Sequence, residues 1–358
     1  MLFGFWDGGR GHLTRTMAVI EEAHARGHET GVITSEKYVE ELAVQDSVDS
    51  VYVVNNRNPD TIQGDTPYTL PVYSHAINHS QRLIGLNMTD LTWLQRTVQK
   101  ELQVIGDYKP SVIVNDYRDT LRTSADYAGV PVVGITQNTG HVHGKRLGWW
   151  QIPESGNIAN ALGAFNELRD TLGLSLWTDE RQIFMGQQTA IPGIPETDPL
   201  LISDPDSQYV GRLTWRNGYK QKMAWAKGSP KAISYVGEST RPSYGYEQML
   251  EQVIDALPEA SFMVSGVESR FAGGALYNAI RSLRAVVASH LPIEKLLVSA
   301  DVLLSHGGHE TLLAALSSNT PVLVVGPYQS EAATTALEIQ HQGAGKVIMH
   351  SNAPLERK

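Results

Sequence analysis

The run SHGGHET at residues 305–311 has the composition of an anion-binding turn. Apolar residues 302–304 predict a strand that leads into Gly307 and Gly308, where no Cβ blocks the approach of a ligand to the backbone. A helix that begins at this turn would direct unpaired N–H groups and its positive dipole end at a phosphate, with His306 as a further donor. The alternative is an ordinary glycine turn beside a buried polar histidine.

A second glycine turn, DGGRGHLTR at residues 7–15, follows an apolar run and precedes a predicted helix. His12 would lie at the start of that helix, where a neutral imidazole can accept a proton at pH 7. The turn does not fit a dinucleotide-binding pattern, because GxGxxG needs glycine at Thr14 and the second predicted strand ends at Thr34 and Ser35 without an acidic residue for a ribose. A helix-capping role is the alternative for His12.

Asp116 ends the predicted strand within the phrase KPSVIVND at residues 109–116. Because the carboxyl ends of parallel strands converge on one crevice, its carboxylate could hold the Nδ1 proton of His12 and stabilise the imidazolium. The alternative for Asp116 is the N-cap of the following helix, a position for which Asp119 competes.

Two ordered sets of motifs resemble those of UDP-glycosyltransferase-like enzymes of the GT-B fold. The first is G-x-G-H-x-x-R, from Gly9 to Arg15. The second set extends from His290 to Gly345. It contains HGG with a following threonine, LxxLxxNxPVLVVxP, the acidic Glu331 with Ala336 five residues later, and GAG at 343–345. The resemblance implies an α/β protein of two Rossmann-like domains whose parallel sheets face a cleft.

The resemblance also implies roles for individual residues. His12 stands where the family has its catalytic base, with Asp116 as its partner, and His306 stands at the donor diphosphate. Glu331 stands at the sugar hydroxyls. The implied donor contacts are Gly11, Gly237, Glu238, His290, Leu291, His306, Gly307, Gly308, Thr311 and Glu331.

Several residues depart from the family pattern. His290 and Ile293 replace the tryptophan and glutamine of plant members at the nucleobase contact. Glu310 stands where relatives usually have glycine, and Ala332 stands where a glutamine usually follows the acidic residue. These departures concern recognition of the base and the sugar.

A loop predicted at residues 137–150 is expected to border the acceptor pocket. Its acceptor-contact candidates are His141, Trp149 and Trp150, the two tryptophans because aromatic rings stack on sugars and planar molecules, although packing within the protein is an equal alternative. His141 and His143 form an HxH pair without a third ligand, and a DxD triplet at residues 204–206 lies in a Pro-rich stretch that predicts a turn. We therefore predict no metal site.

Composition bounds the function further. The chain has 358 residues, which favours two domains, and 29 Lys and Arg against 38 Asp and Glu give a net charge of −9. This balance argues against nucleic acid or an anionic membrane as the main partner and leaves peripheral membrane contact open. The chain has no cysteine, and its start is strand-like without a basic leader, so we predict a cytoplasmic location.

Strand-like and helix-like segments alternate along both halves, the pattern of doubly wound parallel sheets. In the first half they are strands at 2–6, 30–34, 50–54, 111–114 and 131–135 and helices at 13–25, 36–43, 80–105 and 120–128, with a polar loop at 55–73. Residues 191–225 are rich in Pro and Gly and predict an interdomain connection. We place an acceptor-binding domain at 1–205 and a donor-binding domain at 206–358.

The combined expectation is an inverting, metal-independent glycosyltransferase that uses a nucleotide sugar, UDP- or dTDP-linked, as co-substrate and needs no cofactor. The acceptor would be a specialised metabolite, another small molecule or a lipid-linked compound. Two alternatives stay open. The first is an enzyme like UDP-GlcNAc 2-epimerase, which releases UDP without an acceptor, and the second is a GT-B relative that binds a sugar nucleotide without turnover.

Overall fold

The computed structural model describes residues 1–55, 79–85, 87–145, 161–215, 223–235, 246–265, 274–288, 291–325 and 330–348. The chain forms two compact units, Met1–Trp215 and Arg216–Lys358. The division lies ten residues beyond the predicted boundary at 205/206, because a strand within the predicted connection pairs with the first sheet.

The first unit is a seven-stranded parallel sheet with helices between the strands. Its elements are β1 (Leu2–Phe5), α1 (Arg10–Ala25), β2 (Gly31–Thr34), α2 (Val39–Ala43), β3 (Ser50–Val53), α3 (His79–Gly85), α4 (Leu91–Tyr108), β4 (Ile113–Asp116), α5 (Leu121–Ala128), β5 (Val132–Ile135), α6 (Leu162–Thr171), β6 (Gln188–Ile191) and β7 (Ser207–Tyr209). The strand order is β3-β2-β1-β4-β5-β6-β7.

The second unit is a six-stranded parallel sheet. Its elements are β8 (Lys231–Tyr235), α7 (Tyr246–Ala256), β9 (Ser261–Ser265), α8 (Ala275–Arg281), β10 (Ala285–Ala288), α9 (Ile293–Leu297), β11 (Val302–Ser305), α10 (His309–Ser317), β12 (Val322–Val325), α11 (Ser330–His341) and β13 (Gly345–Ile348). The strand order is β10-β9-β8-β11-β12-β13.

Strand order reverses once in each sheet, between β1 and β4 in the first unit and between β8 and β11 in the second. Ligands of open parallel sheets bind at such a switch point, beyond the carboxyl ends of the strands. His12 follows β1 and Asp116 ends β4, while His306 follows β11. Topology therefore places the predicted catalytic pair and the predicted phosphate turn at the ligand-binding edge of their own sheets.

Apolar side chains on the sheet-facing side of α1 keep the first turn in place. Leu13, Met17 and Ile20 are fully buried and pack against Phe3 and Phe5 of β1. Burying a side chain of this size stabilises a fold by about 1.5–3 kcal/mol. The helix that carries His12 is therefore anchored along its length to the strand that precedes it.

The helix predicted over residues 80–105 is two helices. Asn87 has a φ of 51°, a left-handed conformation that ends α3, and the Asp90 side chain then caps α4 by accepting a hydrogen bond from the Trp93 N–H at 2.7 Å. Most of the loop predicted at 55–73 lies outside the described residues.

Candidate active site

Glycines shape the turn between β1 and α1. Gly9 is the N-cap residue of α1 in an extended conformation, and His12 is the third residue of the helix. A Cβ on Gly8 would collide with the six-membered ring of Trp6, so this glycine lets the indole lie across the turn. Gly11, a predicted donor contact, lies half-buried in the first turn of α1.

His12 and Asp116 lie within hydrogen-bond distance. The Nδ1 atom of His12 is 2.7 Å from Oδ1 of Asp116, and the side-chain exposures of the two residues are 13% and 0%. This is the arrangement that a base and its orienting carboxylate require. The catalytic role of the pair stays a prediction.

Arg15 holds the same carboxylate from the other side. Its Nε donates to Oδ2 of Asp116 at 2.5 Å and its Nη2 donates to Oδ1 at 2.6 Å, a bidentate pair whose two side chains are buried. Thr16 donates a further hydrogen bond to Oδ2 at 3.3 Å. The helix that carries His12 therefore also fixes the orientation of the Asp116 carboxylate.

The charges around Asp116 determine which nitrogen of His12 carries the proton. Burial by itself would raise the pKa of Asp116, but the charges and hydrogen bonds of Arg15 and His12 outweigh it and hold that pKa below its usual value. An ionised carboxylate only accepts hydrogen bonds, so Nδ1 must be the donor in its contact with Oδ1. In that tautomer the Nε2 lone pair is the proton acceptor. The Nη2 atom of Arg15 also lies 2.8 Å from Nδ1, and because arginine only donates, that contact is not a hydrogen bond in this tautomer.

Tyr117 packs against His12 in a strained backbone conformation. Its φ is 56°, and its ring centroid lies 5.3 Å from that of His12 and 4.6 Å from that of Phe184, on which it stacks. The Tyr117 hydroxyl accepts hydrogen bonds from the Thr136 hydroxyl at 2.9 Å and from the Gln137 N–H at 3.3 Å. Strain of this kind persists where surrounding contacts enforce it, and it occurs often at functional sites.

The second unit contains the predicted phosphate turn. Gly307 has a φ of 101°, and a Cβ there would lie 3.1 Å from the Cβ of Ala332, so the position requires glycine. The Ser305 hydroxyl accepts a hydrogen bond from the Gly307 N–H at 3.2 Å, and Gly308 is the N-cap residue of α10. The turn thus leads directly into the amino-terminal end of a nine-residue helix.

His306 is neutral at pH 7. Burial lowers the pKa of His306 to about 4, and the smaller opposing effect comes from a hydrogen bond to the Tyr235 backbone. The neutral ring offers one N–H donor. Thr311 lies in the first turn of α10 and Glu331 in the first turn of α11, both half-buried, while Leu291 is buried next to α9.

The acceptor assignment of His141 is a correction. The side chain has no exposed surface, and its Nδ1 accepts a hydrogen bond from the His143 N–H at 3.0 Å. The protonated Nε2 therefore faces the Ser207 hydroxyl at 2.7 Å and Asp204 at 3.2 Å. This histidine connects the loop after β5 to β7, and we no longer count it as an acceptor contact.

Other predicted site residues lie outside the described ranges. These are Gly237, Glu238, His290, Trp149 and Trp150. The DxD triplet forms the predicted turn, in which Oδ1 of Asp204 accepts a hydrogen bond from the Asp206 N–H at 3.1 Å. Among the described residues, we find no group of three or more metal-binding side chains and no helix with the length and hydropathy of a membrane span.

Arg15 and Tyr117 contact the catalytic candidates but have no role in the predictions made from the sequence motifs. Arg15 follows His12 by three residues on a helix, a spacing that places both side chains on the same face. Because Asp116 is predicted to lie near His12, this spacing is the sequence signal that would predict the ion pair between Arg15 and Asp116. No local pattern signals Tyr117, because its conformation depends on contacts with Thr136, Gln137 and Phe184, which are distant in sequence.

Comparison with known proteins gives relatives in sequence and in structure. No protein-family model matches the chain. It is 25% identical over 308 residues to a PGL/p-HBAD biosynthesis rhamnosyltransferase of Mycobacterium bovis, and 24% identical over 301 residues to a PGL/p-HBAD biosynthesis glycosyltransferase of Mycobacterium tuberculosis. These matches cover 78% and 76% of this chain but only 66% and 68% of the relatives, so the chain spans about two thirds of their length.

Solved structures share the architecture along nearly the whole chain. The glycosyltransferase of kitacinnamycin superposes with a TM-score of 0.68 at 17% identity, covering 97% of this chain and 85% of that one. The spinosyn rhamnosyltransferase SpnG complexed with thymidine diphosphate superposes with a TM-score of 0.66 at 16% identity and the same coverage. Together with the two parallel sheets, these matches show that the chain has the predicted GT-B fold.

Proposed function

We propose that the protein is a glycosyltransferase that moves a sugar from a nucleotide diphosphate sugar to an acceptor hydroxyl. The observation that carries this proposal is the His12–Asp116 pair, 2.7 Å apart at the switch point of the first sheet. Such a pair serves a reaction in which a proton leaves a nucleophile. The sequence relationship to named glycosyltransferases supports the same reaction class.

In the proposed reaction, the acceptor hydroxyl gives its proton to Nε2 of His12 while its oxygen attacks the anomeric carbon of the sugar. Asp116 holds the Nδ1 proton throughout and keeps the ring oriented. The bond between the anomeric carbon and the diphosphate oxygen breaks, and its electron pair leaves with the nucleoside diphosphate. A single displacement of this kind inverts the configuration at the anomeric carbon.

The proposed donor site is the turn at residues 306–311. The amino-terminal end of α10 and the neutral His306 ring would stabilise the charge that develops on the departing diphosphate. In this proposal these groups perform that task without a metal ion, and the nucleotide sugar is a co-substrate with no further cofactor. The thymidine diphosphate in the SpnG complex supports a dTDP-linked donor. A UDP-linked donor is the alternative that the motif resemblance implies.

A panel of nucleotide sugars against small-molecule and lipid-linked acceptors, read by mass spectrometry, tests the proposal. Nucleotide release that depends on an acceptor, with a product heavier by one sugar, is the expected result. Release of UDP without an acceptor would instead indicate an epimerase-like reaction. Tight nucleotide binding without turnover would indicate a binding protein.

A further inference from the structure

The turn after β4 carries two residues that contact the His12 ring. Asp116 hydrogen-bonds to the ring and Tyr117 packs against it. Tyr117 has a φ of 56°, and a left-handed conformation of this kind persists only where the surrounding structure enforces it. Asp116, on one side of Tyr117, is held by Arg15. The contacts of Arg118, on the other side, complete the constraint on the backbone of this turn.

A single buried carboxylate on α4 holds the segment that follows Tyr117. Glu101 has no exposed surface, and its Oε1 accepts hydrogen bonds from Nε of Arg118 at 2.6 Å and from the Thr120 hydroxyl at 2.8 Å. Its Oε2 accepts a hydrogen bond from the Ser124 hydroxyl at 2.5 Å. All three donors belong to the turn after β4 or to α5. One side chain of α4 therefore fixes the chain immediately beyond the strained residue.

Arg118 is fixed at three further points. Its N–H donates to Oδ1 of Asn115 at 3.1 Å, so these two residues enclose the backbone of residues 116 and 117. Its Nη2 donates to the carbonyl oxygen of Val54 at 2.8 Å, just beyond the end of β3. Its side chain passes over Gly4 of β1, where an added Cβ would lie only 3.0 Å from Cδ of Arg118. The turn after β4 is therefore tied to α4, to β1 and to the end of β3.

This network favours a fixed geometry over stability. A buried ion pair often stabilises a fold no more than apolar side chains of the same size, because both charges lose their hydration. Arg118 and Glu101 are fully buried, and Nη1 of Arg118 and Nδ2 of Asn115 are buried without a hydrogen-bond partner. Buried donors without acceptors lower stability. The contribution of the network is direction, since charge-assisted hydrogen bonds hold a side chain in one orientation.

We propose that Glu101 is a positioning residue for the pair of His12 and Asp116. Glu101 holds Arg118, and the fixed Arg118 keeps Tyr117 in its left-handed conformation. Tyr117 and Asp116 then orient the His12 ring. The expected effect on rate rests on the proposed glycosyl transfer, whereas the effect on the His12 ring does not. Glu101 itself touches no reacting atom and exchanges no proton.

Glu101→Met tests the proposal because it keeps the size of the side chain and removes its charge and both acceptor oxygens. We expect kcat for acceptor glycosylation to fall by about tenfold or more, since a shift of about 1 Å in a catalytic group can cost about 100-fold in rate. Binding of UDP or dTDP should not change, because the predicted phosphate turn belongs to the second unit. Rates are compared at a temperature at which circular dichroism shows both proteins to be folded. Glu101→Gln keeps an acceptor oxygen for Arg118 and should recover part of the loss.

Proton NMR of the protein with ¹⁵N-labelled histidine follows the His12 ring without any turnover. An Nδ1–H that Asp116 holds gives a downfield signal, which is assigned by its absence in His12→Ala. In Glu101→Met this signal should shift or broaden. An unchanged signal, or a kcat equal to that of wild type, would overturn the proposal even if the variant is less stable. If wild type transfers sugar to no acceptor, the proposed function fails and the NMR signal alone decides the positioning role.

Asp126→Asn is the matched control for loss of a buried carboxylate charge. Asp126 lies on α5, like Ser124, but its partners are Arg122 at 2.8 Å and Arg169 at 2.9 Å, away from the turn after β4. We expect this variant to lose stability with the His12 signal and kcat unchanged. The same losses of signal and kcat in Asp126→Asn would assign them to general destabilisation and would contradict the proposal.

Smaller changes decide the proposal if Glu101→Met does not fold. Thr120→Val and Ser124→Ala each remove one hydrogen bond to Glu101 and keep its ion pair with Arg118. At least one of them should shift the His12 signal and lower kcat by about twofold or more, since part of the constraint is lost. Wild-type signal and kcat in both variants would overturn the proposal.

Discussion

Tyr117 touches His12 from a backbone conformation that tyrosine rarely adopts. Its φ of 56° turns the chain immediately after Asp116, so that consecutive residues contact the same imidazole, one by a hydrogen bond and the other by its ring. The Tyr117 hydroxyl is held at the far end by Thr136 and Gln137. The position of the His12 ring therefore depends on the two residues that follow β5 as well as on α1 and β4.

Tyr117→Phe should lower the free energy of unfolding by about 1–3 kcal/mol, because the buried Gln137 N–H and Thr136 hydroxyl lose the acceptor they share. Urea denaturation measures this change. Thr136→Val is the matched control, since it removes one of the two donors and leaves the ring in place. The double variant should lose less than the sum of the single losses, and strict additivity would contradict the shared hydrogen bonds.

The phosphate turn should be sensitive to a single methyl group. In Gly307→Ala, the positive φ and a Cβ 3.1 Å from that of Ala332 would shift the turn, so binding of UDP or dTDP should weaken by about tenfold or more. Gly343→Ala is the control, because Gly343 has a φ of 75° but no atom within 4 Å of an added Cβ. Calorimetric titration should show weaker binding in the first variant only. If nucleotide binding weakened equally in both variants, backbone strain at a positive φ, and not the position of the phosphate turn, would explain the loss.

His306 and Glu331 should separate diphosphate binding from sugar recognition. His306→Ala should weaken binding of the nucleoside diphosphate and the nucleotide sugar alike, by about 1.5–3 kcal/mol, because each loses a hydrogen bond to a charged group. Glu331→Ala should weaken only the nucleotide sugar, since the nucleoside diphosphate lacks the transferred sugar whose hydroxyls would donate to this carboxylate. Titration of both ligands into both variants measures this. Equal losses for the two ligands in Glu331→Ala would remove the sugar assignment.

The low pKa of His306 predicts how the stability of the second unit depends on pH. The folded-state pKa is about 4 and the ordinary value is 6.5, so between these values the unfolded chain binds a proton that the folded unit does not. Stability should therefore fall as pH decreases from about 6.5 to about 4, and this component should level off below that range. Hydrogen exchange of β11 against pH, in wild type and His306→Gln, measures the effect. Identical pH dependence in the two proteins would contradict it.

Site residues that lie next to a recognisable strand could be predicted from the sequence. Apolar runs identify the strands, and His12 and Asp116 are predicted to lie together because His12 follows one strand of a parallel sheet and Asp116 ends another. The role of His141 was wrong because nothing near it in sequence indicates its burial. That burial depends on Ser207 and Asp204, more than 60 residues away.

Short or interrupted elements escaped prediction for a similar reason. β7 has three residues in a stretch rich in Pro and Gly, too few for a periodic signal, and only its pairing with β6 makes it a strand. The break between α3 and α4 depends on the backbone conformation of Asn87, which asparagine permits but does not require.

The proposal that His12 is the base is tested most directly by the transfer rate of His12→Ala, with nucleotide affinity measured on the same preparation. Loss of a positioned base should lower kcat for acceptor glycosylation by about 10²–10⁴-fold, while binding of UDP or dTDP changes little because the predicted phosphate turn belongs to the second unit. Wild-type turnover in His12→Ala would contradict this account.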